Sequence, residues 1–325
     1  MLVTDIQIKI WSMPLEIMEK HDNHSTGYSM IGYLCAMLRY YYPVEFIAAY
    51  LNNANNESDI ITGTELATQK GIKIAPPRFR YSSEAYTPNA TERTITKGVG
   101  SIKYISDTDG KNLYQLKNNH YDTFCDFLKE NPCDSRATQI LIVLDFFCEF
   151  GKSQKLLDTV DVFQKYYGRA MLNKASCELP PFVISQFAKE TAKQYRITDS
   201  TGLVQYLYSA IPDESIPIKE KLKAECEYLG YIETVIPEVK QYGYVVDIDT
   251  KYSPKVILYD LASGEQMVCK VNKKMYQSKP FDKNDIIQYI AQSKPKVRLV
   301  DRDWVKLPEE ELWITNYIIR DFVRK

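Results

Sequence analysis

Three histidines, seven cysteines and a few closely spaced aspartates are the residues of this 325-residue chain with the types suited to acid–base, nucleophilic or metal chemistry. His21, His24 and His120 occur without a His-x-x-x-His spacing, a Gly-x-Ser-x-Gly elbow or a nucleophilic cysteine motif. A self-contained hydrolase is therefore poorly supported, and an enzyme using His24 is only a residual alternative. Asp107-Thr-Asp109 and Asp247-Ile-Asp249 place carboxylates at i and i+2, which on a strand share one face, as two-metal sites require. The first pair runs into Gly110-Lys111 and the second into Lys251, so solvated turn and strand-end charges are the expectation. The cysteines (35, 125, 133, 148, 177, 226 and 269) are scattered and never in a Cys-x-x-Cys spacing, which fits free thiols of a reducing cytoplasm. No catalytic residue and no metal ligand is assigned.

Phosphate chemistry is better represented. In TITKGVGSIKYI (94–105), Gly98 and Gly100 flank Val99, with Lys97 and Lys103 on either side. Such a hairpin could let backbone N–H groups at a helix N-terminus approach a phosphate, with the lysines adding sequence-independent charge; an ordinary glycine-rich loop is the competing reading. Charge is balanced overall, with 41 Lys and Arg against 42 Asp and Glu, but unevenly spread. Between Lys251 and Lys306 there are twelve basic residues and six acidic ones. Lys251, Lys255, Lys273 and Lys274 alternate there with Tyr252 and Tyr276, which suits a single strand needing charge for phosphates and rings for bases; solvated strand faces explain the pattern equally well.

The elements that would position these residues read as follows. Met30, Ile31, Leu34, Met37 and Leu38 have helical spacing, with Ser25 or Thr26 as cap. Pro43 ends that helix and opens the next, making an elbow that six tyrosines (28, 33, 40, 41, 42 and 50) are expected to pack. A third helix over 57–70 stops at Gly71, and IKIAPP reads as a short strand. Residues 78–97 are extended. Helices resume near 120, continue through DSRATQILIVLDFFCEFG and KSQKLLDTVDVFQKYYGR, and return at about 183–195, 201–210 and 218–230. From Tyr242 onward, about five short β-branched and aromatic runs predict a small barrel. Neither the N-terminus nor ILIVL (140–144) has the length of a bilayer span, so a soluble cytoplasmic protein is expected.

The order of these pieces resembles the C-family of bacterial replicative polymerases, the DNA polymerase III alpha subunit. His24, Ser25, Tyr28, Leu38, Tyr42, Pro43, Glu45, Phe46, Ala48 or Ala49, and Leu51 are similar to its fingers segment. KGVG (97–100) resembles its Ile-Lys-Gly-Val-Gly hairpin, RATQILIVLDFFCEFGKSQKLL (136–157) the rest of a tandem helix-hairpin-helix unit, and ECEYLGYI (225–232) the segment before its oligonucleotide-binding (OB) domain. The resemblance implies an α+β multidomain chain: a fingers-like helical region (1–75), a connector and helix-hairpin-helix DNA-binding unit (76–172), a helical lead-in (173–238) and an OB-like β domain (239–325). It also implies binding of primer-template and single-stranded DNA, with Lys97, Gly98, Gly100, Lys103, Arg39, Lys251, Lys255, Lys273 and Lys274 as contacts.

The family's catalytic aspartates lie in a palm upstream of the fingers, for which this chain has no matching motif. The chain alone is thus expected not to polymerise, with Mg2+ required only alongside a separate palm-bearing chain. Arg39 stands where the family has lysine. The nearest candidate for the family's sliding-clamp peptide is QKYYG (164–168). The alternative function is a scaffold of the replication machinery that has kept this fold and lost DNA affinity.

Overall fold

Pro43 sets the first corner of the chain. Helix α1 (His24–Tyr41) stops at Tyr42, whose backbone leaves helical geometry, and α2 (Pro43–Asn52) restarts with proline in its first turn, where a missing N–H costs nothing. The computed structural model describes residues 24–54, 56–300 and 303–321; His21 lies outside them. Two compact units divide the chain after Asn119.

In the first unit, Asn56 caps α3 (Glu57–Gln69) by accepting from Asp59 N at 2.9 Å, and Gly71 ends the helix at φ 64°. The chain then forms β1 (Lys73–Ala75), β2 (Thr87–Asn89) and β3 (Thr94–Thr96), a small sheet in which β3 pairs parallel to β1 and antiparallel to β2. One core joins Val44, Ile47, Ala48 and Leu51 of α2 to Ala67, Ile72 and Ile95. Two expectations for α1 fail. Ser25 and Thr26 lie inside the helix rather than ahead of it. Tyr28, Tyr33, Tyr40 and Tyr41 do not pack the elbow: they are 72%, 69%, 73% and 68% exposed, because the core is built from α2, α3 and the sheet, with no residue of α1 among the described ones in it.

After α4 (Asp107–Gln115), which closes the first unit, come α5 (Phe124–Glu130), α6 (Ser135–Val143) and α7 (Ser153–Tyr166). Asp134 caps α6 by accepting from Ala137 N at 2.7 Å, and Phe124, Phe127, Phe147 and Phe150 pack ring against ring beneath the turn to α7. The expected helix over 183–195 is shorter: α8 (Pro181–Phe187) gives way to β5 (Ala188–Glu190) and β6 (Gln194–Ile197), which form a three-stranded antiparallel sheet with β4 (Met171–Asn173). Thr191 closes the hairpin: its N–H and hydroxyl both donate to the Gln194 carbonyl, an option for β-branched polar residues that competes with helix.

Helices α9 (Ser200–Ala210) and α10 (Ile218–Ala224) lead through a π turn (Glu225–Leu229) and Gly230, at φ 81°, to the barrel. The buried Glu225 carboxylate accepts from Glu233 N (2.9 Å), Thr234 N (3.0 Å) and the Thr234 hydroxyl (2.5 Å), fastening the turn to the segment that enters the barrel. The barrel comprises β7 (Tyr242–Asp249), β8 (Lys255–Asp260), β9 (Gln266–Val271), β10 (Ile286–Val300) and β11 (Asp303–Arg320), with α11 (Lys273–Ser278) between the third and fourth strands. It closes by β7 pairing with β10 and by β9 pairing parallel to β11. Inward residues at alternate positions fill it, among them Val256, Leu258, Cys269, Val271, Ile287, Tyr289, Ile314 and Tyr317. The last two strands are far longer than the runs DIIQYI and WITNYIIR suggest, and beyond Ser293 and Leu312 they pair only with each other.

Candidate nucleic-acid interface

The hairpin after β3 is built differently from a phosphate cradle. Val99 N donates to Ser83 O at 2.8 Å and Gly100 N to Glu84 O at 3.0 Å. A Cβ added to Gly98 would sit 2.4 Å from the carbonyl carbon of Ala85 and the oxygen of Glu84; one on Gly100 would meet Asp107 Oδ1 at 2.4 Å, and one on Gly110 the Glu84 Cα at 2.9 Å. The backbone at 83–85 thus crosses a saddle of three glycines. Gly98 has ordinary extended geometry (φ −77°, ψ 152°), so close approach of another segment, not unusual backbone, calls for glycine there.

The N-terminus of α4 is closed too. Ser106 accepts from Asp109 N at 3.1 Å, Asp109 accepts from Ser106 N at 3.2 Å, and Asp107 adds a second carboxylate to the first turn. The expected route, amides offered to a phosphate, is taken by the protein's own acceptors. What remains is side-chain charge: Lys103 is exposed and Lys97 half-buried. Next to Lys103, Tyr104 is 60% exposed at φ 68°, a strained backbone for tyrosine. Arg39, in the last turn of α1, is exposed.

The turn between α6 and α7 repeats the theme. Asp145 adopts φ 58°, and its carboxylate is ion-paired to Lys221. At the start of α7, Gln154 N and Lys155 N donate to Glu214 O at 3.0 and 3.3 Å, while Lys152 N donates to Asp213 Oδ1 at 2.8 Å. QKYYG (164–168) is no extended peptide: it ends α7, with Tyr166 buried and Gln164 donating to Ser135 Oγ at 2.9 Å.

On the barrel, Lys251 lies in the β7–β8 loop with its ammonium 5.7 Å from the ring centre of the exposed Tyr252. Lys255 opens β8 directly opposite Lys270 of β9. Lys273 and Lys274 follow on α11, exposed, beyond a backbone bond from Val271 N to Pro254 O at 2.9 Å. Four further side chains escaped sequence reading. Lys270 pairs in register with Trp313 of β11, and Lys294 of β10 with Glu311. The ammonium groups of Lys270 and Lys294 lie 5.6 and 5.5 Å from the Trp313 ring centre. Glu311 takes a hydrogen bond from Lys270 Nζ on Oε2 at 2.5 Å and one from Trp313 Nε1 on Oε1 at 2.8 Å. Burial alone would raise the Glu311 carboxyl, but these two donors outweigh it and hold it below the ordinary value. Leu312 and Ile314 lean on or enter the core while Trp313 points out; that alternation was the available signal.

Asp249 accepts from Lys251 N at 2.9 Å, a turn contact, and among the described residues no three of His, Cys, Asp and Glu gather as a metal would need. None of the described helices is long and apolar enough to cross a membrane.

A closed five-stranded barrel with its helix between the third and fourth strands and parallel closure of the third on the fifth is an OB fold, here preceded by helical hairpins. The helix-hairpin-helix motif family matches residues 71–157, from the glycine ahead of β1 into α7. The chain is 28% identical over 188 residues to DNA polymerase III subunit alpha of Staphylococcus aureus (strain MRSA252), covering 51% of this chain and 17% of that protein. It is 25% identical over 220 residues to DNA polymerase III subunit alpha of Mycobacterium tuberculosis (strain CDC 1551 / Oshkosh), covering 64% of this chain and 17% of that one. The chain therefore resembles a C-terminal portion of such a subunit.

Proposed function

We propose that this chain holds primer-template DNA for a replicative polymerase of the C-family, with the first unit meeting duplex and the barrel guiding single-stranded template. The observation that carries the reading is the helix-hairpin-helix match at 71–157 within a chain similar to polymerase alpha subunits. In this reading nucleotidyl transfer and its Mg2+ ions belong to a palm-bearing partner chain, and the protein works in the cytoplasm.

Phosphate contact from lysine side chains releases counterions, so duplex affinity falls steeply with salt and tolerates any sequence. The test is fluorescence anisotropy with labelled primer-template. Lys97→Glu with Lys103→Glu weakens binding well beyond Lys189→Glu with Lys193→Glu, a pair of exposed lysines near the β5–β6 turn. Equal loss from both pairs overturns the assignment.

The scaffold reading is favoured by one observation: the amides of the first hairpin and the N-termini of α4 and α7 are occupied internally. Its mark is absence of binding even at about 50 mM salt, where phosphate-driven affinity is strong.

A further inference from the structure

Resting on the reading of the barrel as a single-strand guide, we infer that Glu311 is an internal competitor: its carboxylate occupies the place of a nucleic-acid phosphate and must be displaced for a strand to seat.

Lys255 and Lys270 are directly opposite each other on neighbouring strands, an arrangement of like charges that destabilises a sheet unless something negative lies between or beside them. On β11, Glu311 and Trp313 are two residues apart and so share the outward face. Lys270 reaches them from β9 on one side and Lys294 from β10 on the other. Two cations thus converge on one aromatic ring, and one of them, Lys270, also holds the carboxylate beside it.

Glu311 meets that cluster as an anionic ligand would. One oxygen accepts from an ammonium, the other from an indole N–H, and its side chain is only 14% exposed. A phosphate offers the same two acceptors. From β8 through β9 and β11 to β10 the cationic row spans roughly 14 Å at about 4.8 Å per strand, too wide for one phosphate and suited to a chain of them. With Glu311 rotated away, Lys270 is left for a phosphate and Trp313 Nε1 for a base or phosphate oxygen, while the ring offers a stacking face. The exchange trades one ion pair for another, so affinity is set by a difference between two anions, and removing the internal one should raise it.

The experiment titrates fluorescein-labelled oligo-deoxythymidylate into the full chain over a range of salt. Glu311→Gln keeps the size and one acceptor oxygen while removing the charge. It should bind more tightly than wild type, with the slope of log affinity against log salt steeper by about 0.7, the increment for one further lysine engaging a single strand. Glu309→Gln makes the same net charge change beside Lys296, farther along the ribbon, and should leave the slope unchanged. Trp313→Ala should weaken binding about tenfold and Trp313→Phe much less, since a ring still stacks. Circular dichroism of each variant checks the barrel. If Glu311→Gln behaves as Glu309→Gln does, or binds more weakly than wild type, Glu311 is not a competitor and the inference fails while single-strand binding stands. If neither wild type nor Glu311→Gln binds the oligonucleotide, both this inference and the single-strand reading fail. Binding by Glu311→Gln alone would be the strongest support.

Discussion

Gly98→Ala separates two explanations of the KGVG hairpin. If its glycines exist to admit a phosphate, alanine should leave folding intact and weaken DNA binding. The structure argues for the opposite. The new methyl would sit 2.4 to 2.5 Å from three backbone atoms of Glu84 and Ala85, about 1 Å inside ordinary contact, and none is the free end of a side chain. That segment is pinned by Val99 N to Ser83 O and Gly100 N to Glu84 O, and further along by Tyr86 N to Asn52 Oδ1 at 2.7 Å. Retreat would break one or both hairpin bonds. Overpacking of this kind costs about 1 to 3 kcal/mol, and each lost hydrogen bond adds about 1 kcal/mol. A total destabilisation of roughly 2 to 5 kcal/mol is expected, a large share of a typical domain's stability. Gly32→Ala is the control, because it sits in α1 with open space around its Cβ and should gain about 0.5 to 1 kcal/mol of helix propensity. Urea unfolding measures both, and hydrogen exchange at Val99 and Gly100 reports the local effect, which should be a marked loss of protection in Gly98→Ala. A Gly98→Ala protein with wild-type urea midpoint, wild-type exchange and weakened duplex binding would refute the packing argument.

Two further outcomes follow from buried polar groups in the second unit. Glu225→Ala strands the N–H groups of Glu233 and Thr234 that the carboxylate satisfies, and should cost about 3 kcal/mol in thermal unfolding, with Glu225→Gln intermediate; a loss under 1 kcal/mol would show that water replaces the carboxylate. Burial raises the phenols of Tyr244, Tyr259 and Tyr289, Tyr259 to about 12, with Asp260 adding to the shift at Tyr289. The folded barrel therefore holds these protons more tightly than the unfolded chain, so their contribution is complete below pH about 10 and lost as pH rises through the folded values. Tyrosinate absorbance should then appear together with collapse of the barrel's circular dichroism; complete ionisation with the dichroism intact would contradict the burial of these rings.

Local chemistry made much of the fold legible. Pro43, Gly71 and Asp134 each act through their own backbone or cap, and each marks a boundary where expected. The inward alternation of the barrel strands was readable because residues at every second position fill one core. Features set by partners distant in sequence were not readable. Whether Val99 and Gly100 have amides to offer depends on Ser83 and Glu84, which no motif contains. The tyrosines of α1 looked like packing because they flank the Pro43 elbow, but a bend in the chain does not name what covers it. Lys270 and Trp313 were missed because their meaning lies in register: only pairing puts Lys255 opposite Lys270 and Trp313 beside it.

Both candidate surfaces are satisfied internally, yet they are satisfied in different ways, and the difference bears on which is available to a partner. At the hairpin the donors are backbone amides held by backbone carbonyls under three glycines; freeing them means moving the half-buried backbone of 83–85, at a cost of the order estimated for Gly98→Ala. At the barrel the donors are the side chains of Lys270 and Trp313, held by one glutamate that can leave by changing rotamer while the strands stay paired. A single strand needs only to outcompete that carboxylate. Duplex contact at the hairpin, by contrast, must rest on lysine charge without the directional amides, and so should be the more salt-sensitive and the less geometrically demanding of the two.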